Sequence, residues 1–262
     1  MFRPCIDLHE GRVKQIVGGS LGGSGLRTNF VSDRSAAWFA ELYKHAGLTG
    51  GHVVMLGPGN ESEACAAIAA YPGGLQIGGG INAGNARNWL DGGASHVIVT
   101  SWVFRKGQVD WNRLGELVKT VGKKRLVLDL SCRRRGKKYF VVTDRWQKWT
   151  DVTLSPDTLQ KLAGSCAEFL IHAVDKEGLR RGIDRELVKQ LGQWTPLPTT
   201  YAGGANSMSD LEEVTLLGGG KIDLTIGSAL DIFGGNSVLF ADVVKFNRRQ
   251  SENSGGGSLG TN

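Results

Sequence analysis

Apolar residues along this chain gather in eight short runs rich in branched side chains: Phe2–Leu8, His52–Leu56, Leu75–Ile77, His96–Thr100, Arg125–Leu130, Glu168–Ala173, Thr199–Ala202 and Ile222–Ile226. Short apolar runs of this kind, bounded by glycine and polar residues, read as strands covered on both faces. Between them the pattern turns helical, over Asp33–His45, Ser62–Ala70, Ala83–Asp91, Trp111–Val121, Ser155–Ala163, Asp184–Gln193, Ser209–Leu217 and a last stretch near Val238–Asn247. Strand then helix, eight times, predicts an α/β fold of the TIM (β/α)8 barrel type. A doubly wound open sheet is the runner-up, but it needs no eight regular units. Tyr139–Val142 reads as one arm of an extra hairpin, so the loop after the fifth strand is elongated.

The second half of the chain echoes the first, which predicts two similar half-barrels. Ile6-Asp7-Leu8 in strand one returns as Leu128-Asp129-Leu130 in strand five, 122 residues later. Gly79-Gly80-Ile81-Asn82 after strand three returns as Gly203-Gly204-Ala205-Asn206 after strand seven, and Thr100-Ser101 after strand four as Gly227-Ser228 after strand eight. Three motif classes recurring in one order point to two similar halves rather than to one coincidental Gly-Gly pair.

Composition gives these repeats a chemical meaning. The chain has 39 glycines in 262 residues, about twice the average share of about 7%. They have no period of three and do not pool into a linker, apart from Gly255–Gly257, so something wants bare backbone. Gly-Gly at a strand end, followed by Asn and a helix, lets backbone N–H groups converge on an anion. Gly79, Gly80, Thr100 and Ser101 form one expected phosphate cradle, and Gly203, Gly204, Gly227 and Ser228 a second across the barrel mouth. Two cradles imply a substrate with a phosphate at each end and a reacting centre between them. Asp7 and Asp129 stand there, each inside an apolar run where a carboxylate is costly to bury without a role, and as a symmetric pair they read as general acid and base. The glycine-rich stretch Gly18–Gly25 reads as a mobile first loop that closes over the site.

Charge and cysteine usage narrow the classes. The formal charge is +6, concentrated in Lys123–Arg125 and Arg133–Lys138. The net charge favours an anionic ligand, while the runs themselves read as solvated loops; a nucleic-acid-binding protein using Arg133–Lys138 is a distant alternative, without an aromatic stacking motif. The four cysteines, Cys5, Cys65, Cys132 and Cys166, form no CxxC pair and the five histidines no HxxxH or HExxH pattern, so neither a metal site nor a disulfide framework is expected. Residues 1–30 carry no signal-peptide pattern, and no 18 consecutive apolar residues occur. The expectation is a cytoplasmic protein with reduced thiols, a plastid remaining open if a transit peptide has been removed, with no membrane or nucleic-acid partner and a monomeric state.

The run Phe2-Arg-Pro-Cys-Ile-Asp7-Leu-His-Glu-Gly-Arg-Val-Lys-Gln-Ile-Val-Gly18, with His52-Val-Val-Met-Leu-Gly57-Pro, Gly78-Gly-Gly-Ile-Asn82, Val97-Ile-Val-Thr-Ser-Trp102, Asp129-Leu-Ser-Cys-Arg133, Thr225-Ile-Gly-Ser228 and Asp231-Ile-Phe-Gly-Gly235, closely resembles the eukaryotic form of the histidine-biosynthesis isomerase. That family is phosphoribosylformimino-5-aminoimidazole carboxamide ribotide isomerase, and the resemblance runs from Phe2 to about Phe246, which implies a single catalytic barrel over residues 1–246 with 247–262 as a disordered tail. It implies an Amadori rearrangement of a bisphosphorylated aminoaldose to an aminoketose without metal or cofactor. It further implies Asp7 as base and Asp129 as acid, Trp146 stacking on the substrate's base, and His52 as a substrate contact. Bacterial relatives carry Asp-Leu-Asp-Gly at Leu56–Gly59 and threonine at His172, the sixth-strand contact position. The sister cyclase, a subunit of imidazole glycerol phosphate synthase, shares both aspartates and is the nearest enzyme alternative. Cys5 also raises the tryptophan-pathway isomerase, in which a strand-one cysteine is the base.

Overall fold

The computed structural model describes residues 1–20 and 27–255. Eight parallel strands pair in chain order: β1 (Cys5–His9), β2 (Gly51–Met55), β3 (Leu75–Gly78), β4 (Val97–Val99), β5 (Leu126–Asp129), β6 (Glu168–His172), β7 (Thr199–Ala202) and β8 (Ile222–Thr225). A two-residue leading strand, Phe2–Arg3, lies beside Leu224 and Thr225 of β8, whereas β1 lies beside β2, so the segments flanking Pro4 close the ring. Proline has no N–H to give to a ladder, and Pro4 marks the point where the first strand changes neighbour. The fold is a TIM (β/α)8 barrel.

The outer layer consists of α1 (Ala36–His45), α2 (Glu61–Ala70), α3 (Ala86–Asp91), α4 (Trp111–Val121), α5 (Pro156–Ala163), α6 (Arg185–Trp194), α7 (Met208–Leu217) and α8 (Phe240–Gly255). Their starts follow from local chemistry. Ser155, Asp184 and Ser207 each accept a hydrogen bond from a backbone N–H in the first turn of α5, α6 and α7, satisfying donors that a helix leaves orphaned. Two helices expected to begin at Ser155 and Asp184 therefore begin one residue later, with those residues as caps.

The halves echo each other in their additions. An antiparallel pair, Arg12–Ile16 with Thr28–Val31, follows β1, and a three-stranded sheet, Cys132–Arg135, Lys138–Thr143 and Lys148–Thr153, follows β5. A single 3-10 turn follows β4 at Ser101–Val103, and another follows β8 at Asp231–Phe233. The hairpin after β5 contains the expected arm at Tyr139–Val142. The pair after β1 was not expected, because buried Lys14 and Gln15 interrupt its apolar pattern. Residues 21–26 of the expected first loop lie outside the described residues.

The last helix runs across the expected boundary at residue 246. α8 continues to Gly255, and the Asn247 side chain accepts from Phe2 N (2.7 Å) and donates to Phe2 O (2.8 Å). The polar composition after Phe246 hides this, since a surface helix needs little more than its own backbone bonds and one anchoring amide. Residues 256–262 of the expected tail lie outside the described residues.

Strand alternation divides the buried residues into two sets. One faces the helices and forms the main core, including Phe39, Tyr43, Phe169, Tyr201 and Phe233. The other faces the barrel axis, where Ile98, Val127 and Leu170 make a separate cluster. Below that cluster Gln76 Nε2 donates to Glu168 Oε2 (2.9 Å) and Thr200 Oγ1 to Glu168 Oε1 (3.0 Å), so buried polar groups at the closed end satisfy one another. Above it the axis-facing residues are Asp7, Asp129 and His172. Among the described residues no helix is long and apolar enough to cross a membrane.

Candidate active site

Asp129 ends β5 and Asp7 lies at the centre of the five-residue β1, on the C-terminal side of the barrel where such folds place their chemistry. Their surroundings differ. Asp129 Oδ1 accepts from Ser131 N (2.8 Å) and Ser131 Oγ (2.6 Å), Oδ2 accepts from Thr100 Oγ1 (3.1 Å), and His172 Nδ1 lies 3.6 Å from Oδ1. Burial pushes this carboxyl up, but the adjacent His172 imidazole, with the Ser131 and Thr100 hydroxyls, brings it below the usual carboxylate value. Among the described residues Asp7 has one long donor, Gln15 Nε2 at 3.4 Å. Burial, reinforced by the nearby Glu177 carboxylate, pushes Asp7 up to about 7 against the opposing pull of His172 and Gln15.

The two histidines diverge in the same way. Burial lowers His172, but Asp129, Glu177 and Asp7 overcome it and raise the imidazole to about 9. His52, whose ring centroid is 5.8 Å from that of His172, is driven down to about 3 by burial and by the neighbouring His172 charge. At neutral pH the mouth thus holds a charged His172, a neutral His52, an ionised Asp129 and an Asp7 near its midpoint. Burial also pushes the Cys5 thiol well up, which removes the thiolate that a strand-one cysteine base requires.

A cavity of about 1090 Å³ and a smaller adjoining cleft meet at Asp7, His172 and Glu177. Gly79, Gly80, Thr100, Ser101, Asp129 and Trp146 line the large cavity; Gly203, Gly204, Gly227, Ser228 and His52 line the cleft. The two aspartates, both glycine sets, Trp146 and both histidines therefore line one continuous mouth, one glycine set in the cavity and the other in the cleft. The Trp146 ring centroid is 5.7 Å from that of His172.

The cradles differ from expectation in which groups remain open. The α7 N-terminus is already occupied by Asp210, whose Oδ2 accepts from Asn206 N (2.8 Å) and Ser207 N (3.0 Å). Ahead of α3, Asn82 N donates to Asn85 Oδ1 (2.9 Å). The Thr100 hydroxyl is directed to Asp129 and Ser101 Oγ accepts from Asp144 N (2.8 Å). The bare backbone of the Gly-Gly turns remains. Gly204 has φ +83°, and an added Cβ would strike Gly182 O and come within 2.9 Å of Lys176 Cβ; Gly80 has φ +70°, with nothing within 4 Å of such a Cβ.

Five further residues line the mouth or brace those that do. Ser131 bridges Asp129 and His172, with Oγ 3.3 Å from Nδ1; its Asp-x-Ser spacing with Asp129 was the available signal. Gln15, 3% exposed, gave a signal as a polar residue in a strand-like stretch. Glu177, in the charged segment Asp175–Glu177, looks like solvated loop in sequence. Arg180 Nε donates to Ser228 Oγ (3.2 Å) and puts a cation on the second cradle. Thr225 Oγ1, in the same cleft, is buried with no hydrogen-bond partner among the described residues. The basic run behaves otherwise: Arg133 pairs with Asp175 (2.9 Å), and Arg134 and Arg135 stack on Tyr139 and Trp149 of their own hairpin.

Residues 1–247 match the family profile described as histidine biosynthesis protein. A chloroplastic protein of Medicago truncatula, 1-(5-phosphoribosyl)-5-((5-phosphoribosylamino)methylideneamino) imidazole-4-carboxamide isomerase, is 55% identical over 95% of this chain and 82% of its own length. Proteins of the same name from Neurospora crassa and Saccharomyces cerevisiae are 52% and 48% identical, each over 95% of this chain and 99% and 98% of their own lengths.

Proposed function

The chain belongs to the histidine biosynthesis protein family and is an aldose-ketose isomerase, and we propose that Asp7 and Asp129 organise its chemistry from opposite walls of the barrel mouth. The substrate is the bisphosphorylated aminoaldose named by its relatives, lying across the mouth with one phosphate at each glycine turn. Arg180, Ser228 and the unpartnered Thr225 hydroxyl supply charge and donors at the cleft end. The backbone at Gly79 and Gly80 serves the other end.

The observation that carries this reading is the split between the two carboxyls. A general base works best with a pKa near the operating pH, and Asp7, pushed up to about 7, has that property. It takes the C2′ proton once the sugar ring has opened. Opening needs a proton on the ring oxygen, delivered from the Asp129 wall, so that the C1′–O bond breaks as nitrogen forms the Schiff base. Trp146, standing over this wall, stacks on the substrate's base and excludes water.

The test is a spectrophotometric assay of the purified chain with the bisphosphorylated aminoaldose. Conversion to the aminoketose, without ammonia or a glutaminase partner and weakly inhibited by inorganic phosphate, is expected. Absence of turnover overturns the reading; a requirement for ammonia would place the chain with the sister cyclase.

A further inference from the structure

We infer that the proton that opens the sugar ring is carried by His172, and that Asp129 is the carboxylate that holds His172 charged and aims it. This inference rests on the isomerase reading of the site and names the donor within it.

Asp129 is arranged as an acceptor. Thr100 Oγ1, Ser131 N and Ser131 Oγ all lie at hydrogen-bond distance, and each can donate. A protonated carboxyl would have to give a proton where the surroundings supply donors. The Ser131 hydroxyl extends the arrangement to the next strand: it donates to Asp129 Oδ1 at 2.6 Å, which leaves its oxygen free to accept from His172 Nδ1 at 3.3 Å. With Nδ1 committed as donor to that chain, Nε2 is the remaining ring nitrogen, and among the described residues it has no hydrogen-bond partner. His172 lines both the large cavity and the cleft, so the ring is exposed to the space between the two glycine turns.

The groups around the ring favour its charged form. Asp129 faces it from β5, Asp7 from β1 and Glu177 from the loop after β6. His52, from β2, is neutral. Arg180 lines the same cleft and Arg145 the large cavity. The balance leaves the imidazole protonated up to about 9.

Protons balance through the cycle. His172 Nε2–H protonates the ring oxygen as the C1′–O bond breaks and the nitrogen lone pair forms the C1′=N bond. Asp7 removes the C2′ proton, giving the enolamine. The protonated Asp7 then returns that proton to C1′ while the C2′ hydroxyl passes its own to neutral His172. This yields the ketone and restores both groups, with no other reactant.

The experiment compares kcat/KM against pH for wild type, His172→Gln and Asp129→Asn. The Gln variant should lose about 10²- to 10⁴-fold in kcat, with little change in KM, and its alkaline limb near 9 should vanish. Asp129→Asn removes the counter-charge, so its weakened activity should keep an alkaline limb displaced downward by more than about one pH unit, toward the ordinary histidine value near 6.5. Were Asp129 itself the acid, that variant would show no such limb and His172→Gln would keep its own unmoved; either result overturns the inference. Nitrogen-15 spectra of the wild-type protein give a readout that needs neither variant nor turnover. Both ring nitrogens of His172 should be protonated at neutral pH, and a neutral ring overturns the inference. A wild-type chain that failed to isomerise would defeat the functional reading instead.

Discussion

The two half-barrels put an aspartate at matching places and then treat the two oppositely. On the first wall Asp7 has a long hydrogen bond from Gln15 and an acidic neighbour in Glu177; on the second, Asp129 has donors from Ser131 and Thr100 and a cationic neighbour in His172. Both are partly buried, so burial alone does not separate them. The separation comes from partners contributed by adjacent strands and loops. Repetition therefore supplies position, while the non-repeated residues around each carboxylate supply its protonation state.

The most severe way to test this contrast is to remove the first wall's carboxyl. Asp7→Asn should lower kcat by about 10²- to 10⁴-fold with substrate binding retained, and steady-state kinetics retaining near-wild-type kcat would refute its role. The same variant should be more stable than wild type in urea at pH 8. Asp7's folded pKa lies above its unfolded value, so its ionisation opposes folding as pH rises from about 4 to about 7. A lower unfolding midpoint would contradict that.

The glycine turns offer the next contrast. Gly204→Ala meets the Gly182 carbonyl and keeps a left-handed backbone, so it should lose about 1–3 kcal/mol of stability and raise KM; Gly80→Ala, in open space, should lose about 1 kcal/mol from its backbone alone. Equal losses in urea unfolding would mean that the two ends are equally tolerant. Third, kcat/KM should rise with pH through about 7 as Asp7 ionises and fall through about 9 as His172 loses its proton. A flat profile from 6 to 10 would contradict both assignments. The smallest effect should come from Gln15→Leu. Losing one weak hydrogen bond of about 0.5–1.5 kcal/mol should move the acidic limb upward by about one pH unit or less.

The barrel was legible because its strands are covered on both faces and stand out as apolar runs; Thr199–Ala202 and Trp111–Val121 match residue for residue. The hairpin after β1 was hidden because Lys14 and Gln15 are buried by packing around the mouth, which no local period encodes. In the site, Asp7 and Asp129 were visible because a carboxylate is out of place in an apolar run. Glu177 was invisible for the converse reason: an acid in a charged loop is ordinary, and only the folding back of that loop onto Gly18, whose N–H bonds Glu177 O (3.2 Å), brings it to Asp7. The cations of Arg133–Lys138 drew attention by composition, yet Arg134 and Arg135 spend their faces on neighbouring rings.

The break in the first strand at Pro4 has a consequence in time. Phe2 and Arg3 find their neighbours only at Leu224 and Thr225, and Asn247 then bonds Phe2 from the last helix. Neighbouring strands within each half are joined by a single helix-containing connection, but this seam spans nearly the whole chain, and loop closure over such a distance is slow and entropically costly. During synthesis a nascent chain can assemble its first strands while the seam is still missing its second edge. The mouth acquires its full wall only when the last strand arrives, so the chemistry of the first-made aspartate waits on the residues made last.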